Sequence, residues 1–310
     1  MLVISIIYVY YNNSDVIFDS INSILNTKTK IDYEIIIVIN KCTDIKIEEL
    51  QQLSAKISII ENDSNLGFGK ANNIGVKNSN GNYILILNPD TLLQNDVLDK
   101  MYEIMEKDKE IGGSICKLVD ENNNLQETVI RKKIDFMFFV VQLFFLFKIP
   151  LLKRFFNKKY YYSRSDFLIE QFPDVISGAF MLIRKEIYQK LNGFDENYFM
   201  YVEDIDLSKR IKEISKLYYY PNVSINHIGD TTLGNQYVKD KIIMNYTSLF
   251  YFIQKFYGKR KLFFFKILVF LNGVLFMPFA KLIKKQKTKN MIINRSKLFV
   301  NVFNRKFYNA

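Results

Sequence analysis

The stretch ISIIENDSNLGFGKANNIGVKNSNGNYILILNPDT, residues 57–91, reads as strand, helix and strand in succession. Ile57 to Ile60 forms a short apolar strand, a loop holding Asn65, Gly67 and Gly69 leads into a helix over 69–78, and a second strand over 83–88 ends abruptly at Asn88-Pro89-Asp90. Proline cannot donate to a ladder, so it stops the strand and turns the chain. The alternation continues on both sides, with strands expected over 2–9 and 34–39 and helices over 14–26, 45–54 and 95–108. Strands alternating with helices predict an α/β fold, a doubly wound, mostly parallel sheet flanked by helices. Such sheets bind ligands beyond the carboxyl ends of their strands, which is where Asp90 falls.

The glycines of this unit spell neither phosphate fingerprint. Gly67-Phe68-Gly69 would need a third glycine at position 72, where Asn72 stands, and no G-K-S/T follows for a Walker loop. The loop instead offers close backbone approach at its glycines, with neutral donors and acceptors from Asn72 and Asn73.

A second stretch, NGFDENYFMYVEDIDLSKR over 192–210, gathers Glu203, Asp204 and Asp206 where a loop becomes a helix. Like charges at close range raise one another's pKa unless a metal, a cation or a reacting proton compensates, so the cluster is a candidate site. Helix capping and an Asp206–Arg210 pair at i,i+4 would account for the same residues. Strands expected over 113–119, 175–183 and 217–227 flank this helix.

Taken in order, NLGFGKANNIG, LNPDT, SGAFMLIRKEIYQKLNGFDENYFMYVEDIDLSKR and INHIG resemble glycosyltransferase family 2, and within it the rhamnosyltransferase-like enzymes of bacterial surface-polysaccharide assembly, across residues 3–230. The resemblance implies a GT-A domain over 1–230, with 1–110 binding the nucleotide sugar and 111–230, which carries an apolar insertion at 134–158, binding the acceptor. It implies inverting transfer from a nucleotide-sugar donor, dTDP-rhamnose ahead of a UDP-sugar, to a glycan acceptor. Asp90 corresponds to the last acid of the family's D-x-D metal site, which holds Mg²⁺ or Mn²⁺ on the donor diphosphate, and Asn88 stands where the first acid would be. Asp204, preceded by Glu203, corresponds to the catalytic base, a role expected to contribute about 10²–10⁴-fold. Asn40 and Asp44, in VINKCTD, correspond to a segment that touches the nucleotide, with Asn65, Gly67, Gly69 and Asn72 on the donor loop. His227, the only histidine, matches a position near the metal and phosphate. Ile39 departs from the pattern: an aspartate before Asn40 would accept a ring N–H of the base, and isoleucine can only pack. Arg184 and Arg210 read as ion-pair partners before diphosphate ligands.

Composition narrows the alternatives. A single histidine leaves no His-based zinc site, and the absence of Trp removes the Q-x-x-R-W signature of processive synthases. A glycoside hydrolase would also use paired carboxylates but has no use for a metal-supported diphosphate site. Cys42 and Cys116 form neither a metal spacing nor a disulfide framework, as expected in a reducing compartment, and MLVISIIYVYY reads as a first strand, lacking the basic region and cleavage site of a signal peptide.

The net charge of +11 is concentrated at one end: 251–310 holds 14 of the 43 basic residues and no acid, leaving 29 basic against 32 acidic residues elsewhere. The basic residues are interleaved with KLFFFKILVFLNGVLFMPFAKLIKK, too apolar for nucleic acid, and fit an anionic membrane surface. The block FMFFVVQLFFLF, 136–147, with basic flanks in Arg131-Lys132-Lys133 and Lys153-Arg154, is too short to span a bilayer, which needs about 20 residues, and is expected to make interfacial contact. Residues 231–310 are therefore expected to be a helical membrane-associating region that lies in the interface, with a spanning helix as the alternative, on the inner face of the plasma membrane. Such attachment suits a polyprenyl-diphosphate-linked acceptor.

Overall fold

In the computed structural model the described residues are 2–11, 14–42, 47–94, 96–229, 238–279 and 286–303. The strands are β1 (Ile4–Tyr10), β2 (Tyr33–Asn40), β3 (Ile57–Asn62), β4 (Tyr83–Leu87), β5 (Thr91–Leu92), β6 (Ile111–Val119), β7 (Ile130–Arg131), β8 (Val175–Ile176), β9 (Phe180–Arg184) and β10 (Lys216–His227). The helices are α1 (Ser14–Leu25), α2 (Ile47–Leu53), α3 (Phe68–Lys77), α4 (Val97–Lys107), α5 (Phe136–Leu143), α6 (Pro150–Tyr160), α7 (Lys185–Lys190), α8 (Glu203–Ile214), α9 (Val238–Phe279) and α10 (Gln286–Val300). The chain divides into two compact units, one of residues 1–133, 161–199 and 203–232, the other of residues 134–160, 200–202 and 233–310.

The first unit is built on an eight-stranded sheet in the order β3-β2-β1-β4-β9-β6-β10-β5. β1 pairs in parallel with β2 and β4, and β2 with β3, as the strand–helix alternation requires. β4 and β1 read as near-continuous apolar runs because helices cover the faces of a parallel sheet, and all five residues of β4 are buried. β9 enters antiparallel between β4 and β6, and β10 then runs parallel to β6. The carboxyl ends of β1 to β4, β6 and β10 and the amino end of β9 consequently share one edge.

The strand expected over 175–183 is two strands in two sheets. β8 pairs with β7, β9 joins the main sheet, and the break falls at 177–179. There the Ser177 N–H donates to the Val129 carbonyl and the Gly178 N–H to Asp204, so the backbone leaves one ladder before entering the next. Ser208 on α8 holds the end of β8 from the other side, accepting from Ile176 N–H and donating to its carbonyl.

The second unit consists mainly of helices. In the block 136–147 Phe138, Phe139, Val141 and Leu143 of α5 are buried, Met137 is exposed and the rest are half-buried, and Phe136 and Phe139 make edge-on ring contacts with Tyr257, Phe265 and Phe252 of α9. α9 carries a kink at Gly258, whose φ of 85° and ψ of 166° are non-helical. Asn272 and Gly273 interrupt the apolar pattern of α9 because they make its polar and close contacts. Asn272 donates to the Leu143 carbonyl at the end of α5, and Arg295 of α10 donates to both Leu143 and Asn272. A Cβ on Gly273 would lie 2.8 Å from that of Phe299 and 2.9 Å from the Ser296 carbonyl oxygen, so only glycine lets α10 approach. Gly273→Leu should therefore lower the melting temperature, by overpacking worth about 1–3 kcal/mol; thermal unfolding indistinguishable from wild type would contradict this contact.

Candidate functional site

The sheet edge collects the sequence-predicted residues through short backbone contacts. Asn88-Pro89-Asp90-Thr91 is a β-turn, with asparagine and proline at the positions that favour them, closed by Thr91 N–H and Oγ1 donating to the Asn88 carbonyl at 3.3 and 2.6 Å. The Asn88 N–H donates to Ala179, and the Asp90 carbonyl accepts from Ile228 N–H at 2.9 Å. The second bond, with the His227–Thr91 strand pairing, brings the end of β10 against Asp90. His227 Nε2 lies 3.4 Å from Asp90 Oδ1. That oxygen is buried and accepts no hydrogen bond.

Asp204 reaches the same edge from α8. Its Oδ2 accepts from Gly178 N–H at 3.2 Å, next in the chain to Ala179, and its Oδ1 from Ile205 N–H at 2.8 Å. The residue is only partly buried, yet the protein around its carboxyl group desolvates it, and this pushes its pKa up against the two N–H donors and the charge of Arg131. Arg131 is the residue that sequence reasoning placed wrongly. It read as the start of a basic flank to an apolar block, whereas it lies in β7 with its guanidinium 5.8 Å from the Tyr161 ring centre and acts electrostatically on Asp204. Nothing in the run Arg131-Lys132-Lys133 distinguishes the cation that acts on Asp204 from its neighbours.

The other acids of the cluster have different surroundings. Glu203 is buried at the first position of α8. Asp206 is 0 % exposed, accepts from Arg210 Nε at 2.5 Å and from the Tyr198 hydroxyl at 3.0 Å, and so forms the i,i+4 pair foreseen above. Arg210 also donates to the Leu191 carbonyl, and Arg184 is spent on the Tyr83 hydroxyl and the carbonyls of Ile111 and Met105. Both arginines are structural.

Of the residues expected to bind the donor, Asn40, Asn65 and Gly67 come together. Asn40 Nδ2 donates to Asn65 Oδ1 and to the Gly67 carbonyl, both at 3.2 Å, while its Oδ1 accepts from Asn62, and Gly67 N–H donates to Asn65 Oδ1. Gly67 has φ of 81°, and a Cβ there would lie 2.2 Å from the Phe199 carbonyl oxygen, which accepts from Phe68 N–H. Gly69 faces Phe194, and Asn72 turns its amide back to the Phe68 carbonyl, four residues earlier in α3. Asn73 holds the 188–196 loop, accepting from the Tyr188 hydroxyl and Phe194 N–H and donating to the Phe194 carbonyl and Glu196. Asp44 lies outside the described residues. Ile39 is 1 % exposed within the core and offers no surface to a base.

The residues at Asp90 suit a hard divalent cation: a buried carboxylate oxygen without a hydrogen bond stands beside an imidazole nitrogen. Among the described residues no three His, Cys, Asp or Glu side chains gather into a metal site, so most of the coordination would come from diphosphate and water.

The chain belongs to glycosyl transferase family 2, whose domain matches residues 5–191. It is 31% identical over 197 residues to the rhamnosyltransferase WbbL of Escherichia coli (strain K12), covering 61% of this chain and 70% of that protein. It is 40% identical over 53 residues, 17% of each chain, to the N-acetylglucosaminyl-diphospho-decaprenol L-rhamnosyltransferase of Mycobacterium tuberculosis (strain ATCC 25618 / H37Rv). In fold it resembles the mannosyltransferase PcManGT from Pyrobaculum calidifontis, solved with GDP-Man and Mn²⁺, with a TM-score of 0.57 at 13% identity over 98% of this chain and 87% of that one. The fold is GT-A, and the protein is a rhamnosyltransferase-like glycosyltransferase.

The environment of Asp204 has a measurable signature. Because its folded pKa lies above the ordinary aspartate value, wild type is penalised as the carboxyl ionises: the penalty is absent below about pH 4, grows as pH rises through the raised pKa, and persists above it. The melting temperature of Asp204→Asn relative to wild type should therefore climb from acid to neutral pH. A difference independent of pH would mean that the carboxylate is not desolvated.

Proposed function

We propose that this protein transfers a sugar, with inversion and with the help of Mg²⁺ or Mn²⁺, from a nucleoside diphosphate donor to a glycan hydroxyl. The observation that carries this reading is the presence, at one sheet edge, of two aspartates in opposite settings. Asp204 is desolvated and hydrogen-bonded to backbone N–H groups, and Asp90 turns an unsatisfied oxygen toward His227. Donors to test are dTDP-rhamnose first, because of the rhamnosyltransferases to which the chain is similar, and UDP-sugars second.

The acceptor hydroxyl attacks the anomeric carbon from the face opposite the leaving diphosphate, through an oxocarbenium-like state. Asp204 takes the hydroxyl proton. Gly178 and Ile205 N–H hold its carboxylate in place, and its raised pKa makes it a stronger base than a solvated aspartate. The positive charge of Arg131 opposes that rise. A divalent ion held by Asp90 and His227 would neutralise charge growing on the leaving diphosphate. Asn88, neutral where the family has an acid, leaves that task with fewer protein charges.

The acceptor proposed is a glycan on a polyprenyl diphosphate, at the inner face of the plasma membrane. The mycobacterial relative is named for a decaprenol-linked acceptor. Support from this chain comes from the second unit, where α9 is long and apolar enough to cross a membrane. Its exposed Phe263, Phe264, Phe270, Leu271, Val274 and Leu275 recur at helical spacing, and Lys259, Arg260 and Lys261 are exposed just before them. α6 adds Leu151, 88 % exposed, and Phe155. An apolar stripe with basic residues at its end matches peripheral attachment in the interface, and Asn272 and Gly273 on the covered face explain why the helix is not apolar all round.

Two variants separate these roles when nucleotide sugars are screened with and without Mn²⁺ and released diphosphate is read. Asp204→Asn should lower turnover about 10²–10⁴-fold at unchanged donor affinity. Asp90→Ala should abolish the dependence of donor affinity on Mn²⁺. Activity of Asp204→Asn within a few-fold of wild type would remove the base, and an undiminished Mn²⁺ effect in Asp90→Ala would remove the metal ligand.

For attachment, the full chain should bind anionic vesicles less tightly as salt rises. Replacing Lys259, Arg260 and Lys261 with Gln should weaken binding by about 1 kcal/mol each. Phe263→Ser with Phe264→Ser should weaken it at every salt concentration. Binding unaffected by both sets would place the membrane contact elsewhere.

A further inference from the structure

We infer that Gln126 is a positioning residue that fixes the proton of His227 on Nδ1 and so presents the Nε2 lone pair to the cation shared with Asp90. The inference rests on the metal reading proposed above and adds the residue that prepares the site. Gln126 was not among the residues singled out by sequence, because an isolated glutamine after an Asn-rich turn carries no pattern.

The geometry is set by the main chain. After β6 the chain turns at 120–124, where the Asp120 carboxylate accepts from Asn122 and Asn124 N–H at 2.9 and 2.8 Å and from the Asn124 side chain. These bonds hold its pKa below the usual carboxylate range, and Asn123 takes the left-handed conformation the turn needs. Gln126 N–H then returns to the Leu118 carbonyl at 3.0 Å, laying residue 126 back along β6. β6 pairs with β10 through Leu118–Ile225 and Val119–Asn226, and His227 is next in line.

The side-chain amide of Gln126 grips His227 at two points. Nε2 donates to the His227 backbone carbonyl at 2.7 Å, and Oε1 lies 2.8 Å from the ring Nδ1. A backbone carbonyl can only accept, so the amide nitrogen must face it. The atom left facing the ring is an oxygen with no proton to give, so Nδ1 is the donor. The tautomer follows from the carbonyl and not from an assumed orientation of the amide. In the neutral ring Nε2 therefore carries a lone pair, 3.4 Å from a carboxylate oxygen that accepts no hydrogen bond. Two acceptors at that distance repel unless a positive charge joins them, either a second ring proton or a metal ion, and the metal reading assigns that charge to a divalent cation. An imidazole whose remote N–H is held by a fixed acceptor is the usual form of a histidine metal ligand.

Because His227 is the only histidine, its ring nitrogens can be read without assignment in a long-range proton–nitrogen NMR spectrum of the full-length protein, at a pH where the ring is neutral. Wild type should show the proton on Nδ1. Gln126→Leu should shift it toward Nε2, the form favoured by free imidazole side chains, whereas Gln126→Glu, which keeps an acceptor facing Nδ1, should retain it. Mn²⁺ affinity in the presence of dTDP or UDP, read from the EPR signal of free Mn²⁺, should fall about 10–100-fold in Gln126→Leu, with metal-free nucleotide binding unchanged. A wild-type proton on Nε2, or a Gln126→Leu protein with wild-type Mn²⁺ affinity, overturns the role of Gln126 while leaving the cation site standing. A wild type with its proton on Nδ1 that binds no Mn²⁺ overturns the cation site itself, and this role with it.

Discussion

Three consecutive residues, Ser177, Gly178 and Ala179, carry the constraint on which the first unit depends. Each backbone group there is committed to a different part of the chain: Ser177 N–H to Val129, Gly178 N–H to the Asp204 carboxylate, and the Ala179 carbonyl to Asn88 N–H. Through these bonds the antiparallel strand β9 is inserted between β4 and β6. The Asn-Pro-Asp turn and the start of α8 are thereby drawn to the same edge although 114 residues separate Asp90 from Asp204. The carboxylate proposed as the base also satisfies a backbone donor that would otherwise be left over where one ladder ends and the next begins.

Much of this architecture was legible in the sequence, because hydrophobic periodicity and proline placement act locally. The expected strand over 34–39 is β2, that over 217–227 is β10, and the expected helix over 14–26 is α1, each within a residue or two. The strand expected over 175–183 failed at Gly178, because what breaks it is a hydrogen bond to a side chain 26 residues later. Arg131 and Gln126 were illegible for the same reason. Their neighbours in sequence suggest a solvated basic run and a polar turn, and only the pairing of β7 with β8 and of β6 with β10 shows what they face. Asn272 and Gly273 interrupt the apolar sequence of α9 because they are the points at which α5 and α10 close on it.

The three acids at the start of α8 show how little the spacing of charges says about their tasks. Asp206 is neutralised by Arg210 and hydrogen-bonded by Tyr198, which makes it part of the scaffold. Glu203 is buried at the helix start. Asp204, between them in sequence, is the one whose carboxylate is desolvated and bonded to backbone donors. Removing one partner of a buried ion pair is far more damaging than the pair's net worth suggests, so losing either Asp206 or Arg210 would disturb the start of α8.

The backbone leading into α8 is itself constrained. Tyr201 and Val202, immediately before Glu203, have φ of 69° and 72°, a conformation costly for any residue with a Cβ and more so for a β-branched valine. Just upstream, the Phe199 carbonyl accepts from Phe68 N–H at the start of α3, and Gly67 leaves room for that approach. The loop that bears the proposed donor-side glycine and the segment that delivers the proposed base are thus held by one hydrogen bond. Strain of this kind persists only where surrounding contacts over-determine it. Further upstream, Asn73 holds the chain at 188–196 with four bonds. Under the proposed roles, a displacement of the Gly67 loop would reach Asp204 through the Phe68–Phe199 hydrogen bond and the short segment that follows Phe199.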